Sequence, residues 1–289
     1  MAIDELDLPF AVTQIGAGDG EPVIVLPGGP CRGVEYLGDL AGLTDRCNLV
    51  VLHPRGTPLS GGLSRGWWAD ADDVVALADA LGLERVRAVA HSAATRLALA
   101  MAVRFPDRVQ SLALVTPPAS WLTGTIEDAG VIELDRDDPE VADALEALEL
   151  EDPDTDEAFV RLFRRQAAAT YAHWTRRERA HARLGRMNLA AASAWFANIP
   201  VDVVSRIRVA VMPPTLVIGG GNDVLTGRQA VVDYARALHA HLEVIDDCGH
   251  YPWVEQPEAF YRIVDGWLDA GAAHSRPTAR SAVGAALPD

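Results

Sequence analysis

The chain has 289 residues, 49% hydrophobic and 23% charged, with 41 acids against 25 bases, every base an Arg, and a formal net charge of −16. At this size about three quarters of the unfolded surface can be buried, so one or two globular domains are expected, and disordered, collagen-like and coiled-coil classes are excluded. The acidic balance argues against a nucleic-acid partner, the odd trio Cys31, Cys47 and Cys248 against a disulfide framework, and the lack of any long apolar run against a membrane span.

In chain order, short apolar runs rich in β-branched residues and bounded by turn residues predict strands at Glu21 to Leu26, Asn48 to Leu52, Val86 to Ala90, Gln110 to Val115, Thr215 to Ile218 and Leu242 to Ile245. Helical periodicity predicts helices at Ala69 to Leu81, Ala94 to Phe105, Gly227 to Ala240 and Pro257 to Ala270. Strand alternating with helix gives an α/β fold, a mostly parallel sheet covered on both faces. The alternation stops between Pro117 and about Val209, where the pattern is helical. The chain therefore divides into a core of residues 1–118 and 209–271, an inserted helical cap or lid of residues 119–208, and a tail of residues 272–289 that is expected to be disordered. Within the insertion, Glu127 to Glu157 holds 15 acids and one Arg, and Arg161 to Arg186 holds eight Arg and one acid. This pattern reads either as two solvated faces that neutralise each other or as a polar lid whose carboxylates meet a cationic part of a ligand.

The strongest chemical signal is Val86-Arg-Ala-Val-Ala-His-Ser-Ala-Ala-Thr95, a strand that runs through a small-residue turn into a helix. A serine in such a turn is a nucleophile elbow: its backbone is strained, and the residues two before and two after it, Ala90 and Ala94, must be small. Two further turns follow later strands. Gly219-Gly-Gly-Asn-Asp223 carries a carboxylate, and Asp246-Asp-Cys-Gly-His250 an imidazole. All strand ends of one polarity lie on one edge of a parallel sheet, so Ser92, Asp223 and His250 can converge there. A serine hydroxyl needs a base to become a nucleophile, a neutral His suits that task near pH 7, and a buried Asp holds the imidazole in its working tautomer. Asp246 and Asp247 are competitors for the acid's role. An acyl-transfer site also needs two donors for an oxyanion, here the backbone N–H of Ala93 after the serine and of Gly29 in the loop Leu26-Pro-Gly-Gly-Pro-Cys31. No His, Cys, Asp and Glu cluster has metal-ligand spacing, and Gly219-Gly-Gly221 lacks the spacing of a dinucleotide fingerprint, so no cofactor is expected.

From about Gly20 to Leu268 these residues resemble the α/β-hydrolase family, and within it the proline iminopeptidase branch. Pro27-Gly-Gly-Pro-Cys-Arg-Gly33 is similar to that branch's His-Gly-Gly-Pro-Gly loop, His53-Pro-Arg-Gly-Thr-Pro-Leu-Ser60 to its Asp-Gln-Arg-Gly-x-Gly-x-Ser segment, Asp70 to Gly82 to the helix before the elbow, and Ala90-His-Ser-Ala-Ala94 to the elbow itself. Pro27 stands where the branch has His, and Cys31 where it has Gly. The resemblance implies a Ser-His-Asp hydrolase with a lid, in which lid acids receive the substrate's free amino terminus. Glu127, Asp128 and Glu133 are candidates for that role, and Pro27, Trp121, Tyr171, Trp174, Trp195 and Phe196 for pocket walls.

The expected activity is hydrolysis of a small amide or ester, or of a short peptide, through an acyl-enzyme. Two alternatives remain: an esterase, lactonase or thioesterase-like acyl transferase, and a non-hydrolytic binding protein or isomerase on the same fold. The N-terminus has no basic region followed by an apolar run, so a cytoplasmic location is expected. The sequence leaves the oligomeric state open.

Overall fold

A computed structural model describes residues 6–16, 20–126, 128–134, 136–151 and 153–274. Its seven strands are β1 (Val12–Ile15), β2 (Val23–Leu26), β3 (Leu49–Leu52), β4 (Val86–His91), β5 (Val109–Val115), β6 (Thr215–Gly220) and β7 (His241–Ile245). They form one sheet in the order β1-β3-β2-β4-β5-β6-β7, parallel except for β1, which pairs antiparallel with β3. The six strands expected from apolar runs are present. Edge strand β1 has no such run: its four residues, Val-Thr-Gln-Ile, are half-buried or exposed, and they carry little hydrophobic signal.

Parallel strands buried on both faces send alternate side chains to opposite sides. Ile24, Val50, Ala88, Leu112 and Val217 face a core built with α1 (Ala71–Ala80), α2 (Ala94–Arg104) and, after the insertion, the helix Arg228–Ala237. Val25, Leu49, Val89, Ala113 and Ile218 face a second core with Tyr36, Leu37 and the C-terminal helix Pro257–His274. That helix reaches into the span expected to be a disordered tail. Residues 275–289 lie outside the described residues.

Among the described residues between β5 and β6 there are six α-helices and no strand: α3 (Ser120–Thr123), α4 (Pro139–Leu148), α5 (Asp156–Gln166), α6 (Arg176–His181), α7 (Leu189–Trp195) and α8 (Val203–Val209). After β6 come α9 (Arg228–Ala237), α10 (Pro252–Glu255) and α11 (Pro257–His274). Asp138, Thr155, Thr175 and Asn188 start α4 to α7 by accepting a backbone N–H in the first turn of each helix, as N-cap residues do. The acidic and basic stretches meet here. Arg165 donates two hydrogen bonds to Asp143, and Arg179 pairs with Glu140.

The inserted helices are tied to the sheet domain by backbone. Trp67 N–H donates to Trp195 O at 2.9 Å, Gly33 N–H to Arg186 O at 2.8 Å and His250 N–H to Thr170 O at 2.9 Å. No helix among the described residues is long and apolar enough to cross a membrane.

Candidate active site

Ser92 directly follows β4, with φ 51° in the left-handed region. Side chains other than Gly pay for that conformation, and a serine held there by surrounding structure is a strained elbow. Two backbone bonds hold it: Ser92 N–H donates to Val115 O at 2.8 Å, and Thr95 N–H donates to Ser92 O at 2.9 Å. Gly28 lies against it so closely that a Cβ there would sit 2.8 Å from the Ser92 Cβ and 2.5 Å from His91 O, which explains a glycine after β2. Ala90 and Ala94 flank the turn and are fully buried, so larger residues have no room.

Asp223 follows β6 on its glycine loop and is completely buried. Its Oδ2 receives His250 Nδ1 at 2.7 Å and the Thr226 hydroxyl at 2.8 Å, and its Oδ1 receives Leu225 N–H at 3.0 Å. A carboxylate can only accept, so His250 carries its proton on Nδ1 and keeps a lone pair on Nε2. Asp246 pairs with Arg228 and Asp247 with His173, so neither competitor is paired with His250.

The loops that present the acid and the base are stitched together. Asn222 N–H donates to Cys248 O and Gly221 N–H to Ile245 O, each at 2.8 Å. A Cβ on Gly220 would lie 2.1 Å from Gly249 O.

Behind the imidazole lies a chain of neutral donors and acceptors. Gly28 N–H donates to the Tyr36 hydroxyl at 2.6 Å. That hydroxyl pairs with His91 Nδ1 at 3.0 Å, and His91 Nε2 pairs with His250 O at 3.1 Å. A carbonyl only accepts, so His91 donates from Nε2 and receives the Tyr36 proton at Nδ1. Burial, followed by the neighbouring His250, holds the His91 imidazole well below its ordinary range and keeps it neutral. Thr116 also donates to His250 O, at 3.1 Å. His181 repeats the pattern: its Nε2 pairs with Tyr36 O and its Nδ1 with the Tyr171 hydroxyl, each at 2.7 Å, and burial lowers its pKa to about 4.

Ser92 and His250 line one cavity of about 320 Å³ together with Gly29, Arg32, Tyr171 and Tyr251. Phe159, Phe163, Met187, Leu189 and Phe196 from the inserted helices supply much of its apolar wall. Within the described residues the Ser92 hydroxyl makes no hydrogen bond to His250, a pairing that in unliganded sites often tightens only with substrate. Ala93 flanks the start of α2, where first-turn N–H groups lack helical acceptors, and Gly29, with φ 59°, borders the cavity.

Of the expected wall residues, Tyr171 and Phe196 line this cavity and four do not. Pro27 is buried at the end of β2, and Trp195 is packed in the core behind α7. Trp121 meets Trp67 edge to face and lies beneath Arg96, while Trp174 turns outward to Glu140 and Arg179. A large aromatic side chain marks apolar burial as readily as a pocket, so the sequence could not separate the two.

The lid acids are also elsewhere. Asp128 receives the backbone N–H groups of Arg228 and Gln229, and Glu133 offers its carbonyl to Asn222. Glu127 lies outside the described residues. Among the described residues no Asp or Glu lines the cavity.

Residues that sequence reasoning passed over also shape the site. Arg32 lies in the loop after β2 and Tyr251 beside His250, but their contacts come from residues up to 219 positions away. Glu255 is buried beneath the histidine loop and receives Gly249 N–H at 3.0 Å and Ala172 N–H at 2.7 Å. Cys31, which takes the place of a family glycine, has φ 59°. Burial pushes its thiol up to about 12, which makes it an inert packing residue.

Compared with known proteins, the chain matches the alpha/beta hydrolase fold family over residues 21–257. A protein of Caulobacter sp. (strain K31) named as a carbamate hydrolase, RutD, is 35% identical over 102 residues. That match covers 34% of this chain and 38% of the relative's length. Among solved structures, a proline iminopeptidase of Mycobacterium smegmatis superposes with a TM-score of 0.65 at 20% identity, covering 92% of this chain and 96% of the other. A thermophilic esterase of Thermogutta terrifontis superposes with a TM-score of 0.64 at 18% identity, covering 91% and 93%. At such identities the likeness is one of fold.

Proposed function

This chain belongs to the alpha/beta hydrolase fold family, and from that premise we propose that it is a serine hydrolase acting on small carboxylic esters or lactones through an acyl-enzyme. The observation that carries the reading is the buried Asp223–His250 pair opening onto the same cavity as Ser92 in its strained turn. In the proposed reaction His250 Nε2 takes the Ser92 proton as Oγ bonds to the substrate carbonyl carbon. The carbonyl oxygen becomes an oxyanion held by the Gly29 and Ala93 N–H groups. Collapse expels the alcohol, which receives the proton from His250. A water then attacks the acyl-enzyme by the same route and releases the acid. Each oxyanion donor contributes about 3–4 kcal/mol of transition-state stabilisation in sites of this kind.

Residues 119–208 act in this reading as a cap that shields the site from bulk solvent while leaving room for the hydrolytic water. Phe159, Phe163 and Met187 support that role, because they bring the insertion's apolar side chains to the nucleophile. A peptidase that recognises a free amino terminus needs an anionic group in the pocket, and the described lining offers none, so an ester or lactone is favoured over an amino-terminal peptide. The three unpaired buried cysteines accord with a cytoplasmic location.

Turnover of short-chain aryl esters and lactones, measured beside amino-terminal proline and alanine anilides on wild type and Ser92→Ala, tests the proposal. The expected result is ester or lactone turnover that the substitution removes. Serine-dependent turnover of the anilides alone would make the enzyme a peptidase. Turnover that survives Ser92→Ala would remove the serine mechanism.

A further inference from the structure

Arg32 is 2% exposed and borders the cavity, yet among the described residues no carboxylate lies within ion-pair distance of it. More exposed arginines do find carboxylates, as Arg55 does with Asp73 and Arg104 with Asp72. Arg32 instead uses neutral acceptors. Its Nε and Nη2 both donate to Leu184 O, at 3.1 and 2.6 Å, and Nη1 donates to the Tyr251 hydroxyl at 2.8 Å. A guanidinium has five N–H groups, so two remain without a partner among the described residues. The rings of Tyr36, Phe163 and Tyr251 lie 4.3, 5.2 and 5.6 Å from its central carbon, which eases the charge's burial and fixes the plane of the group.

Its place in the site matters as much as its charge. The side chain packs against Gly29, whose added Cβ would meet Arg32 Cβ and Cδ at 3.1 Å, and its Nη1 reaches the residue after His250. The positive charge is therefore held between the oxyanion loop and the histidine loop, in a wall that is otherwise mostly apolar. An isolated buried cation is costly to a fold unless an anion meets it, and a planar fork of N–H groups is the geometry that receives a carboxylate.

We propose that Arg32 is a specificity residue that receives a carboxylate on the substrate, so that the preferred substrates are esters or lactones carrying a second, anionic carboxyl group. The inference rests on the serine-hydrolase reading of the same cavity.

The test compares two matched pairs of aryl esters. In the first the carboxylate ends the acyl chain, as in the 4-nitrophenyl monoester of adipic acid against 4-nitrophenyl hexanoate. In the second it sits on the leaving group, as in 4-(carboxymethyl)phenyl butyrate against 4-ethylphenyl butyrate. The readout is the ratio of kcat/KM within each pair, which cancels any general loss of active enzyme. Wild type is expected to favour the carboxylate member of at least one pair by about tenfold or more, the yield of a charge-assisted hydrogen bond. Arg32→Gln is expected to bring that ratio to one or below, and Arg32→Lys, which keeps the charge but not the fork, to leave it in between.

A ratio near or below one in both wild-type pairs, or a preference that Arg32→Gln leaves intact, would overturn the proposal. Should Arg32→Gln fail to fold, wild type and Arg32→Lys decide it. A second readout does not depend on turnover: a carboxylate-ended alkyl fluorophosphonate should label Ser92 faster than its methyl-ended analogue of equal length. Labelling by both at one rate refutes the role of Arg32 alone. Labelling by neither removes the serine-hydrolase reading and this inference with it.

Discussion

Asp223 shows how far a single residue determines the site. Its two oxygens accept from Thr226, Leu225 and His250, so the carboxylate has one orientation, and that orientation sets the imidazole tautomer. Asp223→Asn keeps the shape but places an N–H against Nδ1. The imidazole then turns to its other tautomer and loses the lone pair at Nε2. The expected outcome is a fall in kcat of about 10³ to 10⁴-fold with little change in thermal unfolding; a near wild-type rate would show that another acid serves His250. The triad candidates were legible in the sequence because each follows a strand end: Ser92 directly, Asp223 after two loop residues and His250 after four. Arg32, Tyr36 and Tyr251 were not, since their arrangement depends on contacts with residues distant in the chain, and the expected pocket tryptophans illustrate the converse error. A tryptophan's size is visible in the sequence, but the side of the helix it packs on is not.

At the scale of elements, the histidine loop between β7 and α10 is held by a buried carboxylate. Glu255, 5% exposed, receives N–H groups of Gly249 and Tyr251 within the loop and of Ala172 from the insertion. Burial outweighs these bonds and pushes its pKa up to about 8. The folded protein therefore holds a proton that the unfolded chain releases near pH 4.5, so this group makes stability fall as pH rises from about 4.5 to 8. His91 and His181, both lowered, act in the opposite sense below about pH 6.5, because the unfolded chain takes up their protons first.

Glu255→Gln isolates the first contribution. In urea unfolding at pH 5, 6.5 and 8, wild type should lose stability relative to the variant as pH rises. A difference independent of pH would mean that Glu255 is ionised throughout. Six of the sheet's strands were legible at this scale as apolar runs, while their order was not, and β1 was not, because an edge strand with a wet face lacks the continuous apolar signature. The inserted helices were legible as a gap in the strand pattern. Which of their side chains reach the cavity depends on docking, and docking here runs through backbone bonds such as Trp67 to Trp195 that leave no trace in composition.

On the scale of the whole molecule, a mostly parallel sheet gathers three loops at one edge, packed cores lie on both of its faces, and residues between β5 and β6 bring apolar side chains to the cavity that Ser92 and His250 line. The net charge of −16 leaves Arg32 as a local exception beside the nucleophile. In the proposed mechanism Ser92 is the group that this assembly makes nucleophilic. Reaction of the intact protein with a fluorophosphonate, followed by peptide mass spectrometry, tests it most directly. The expected result is one modified residue, Ser92, with labelling abolished in Ser92→Ala and slowed in His250→Ala; a folded wild-type protein that resists the reagent, or carries it on another residue, would rule out Ser92 as the nucleophile.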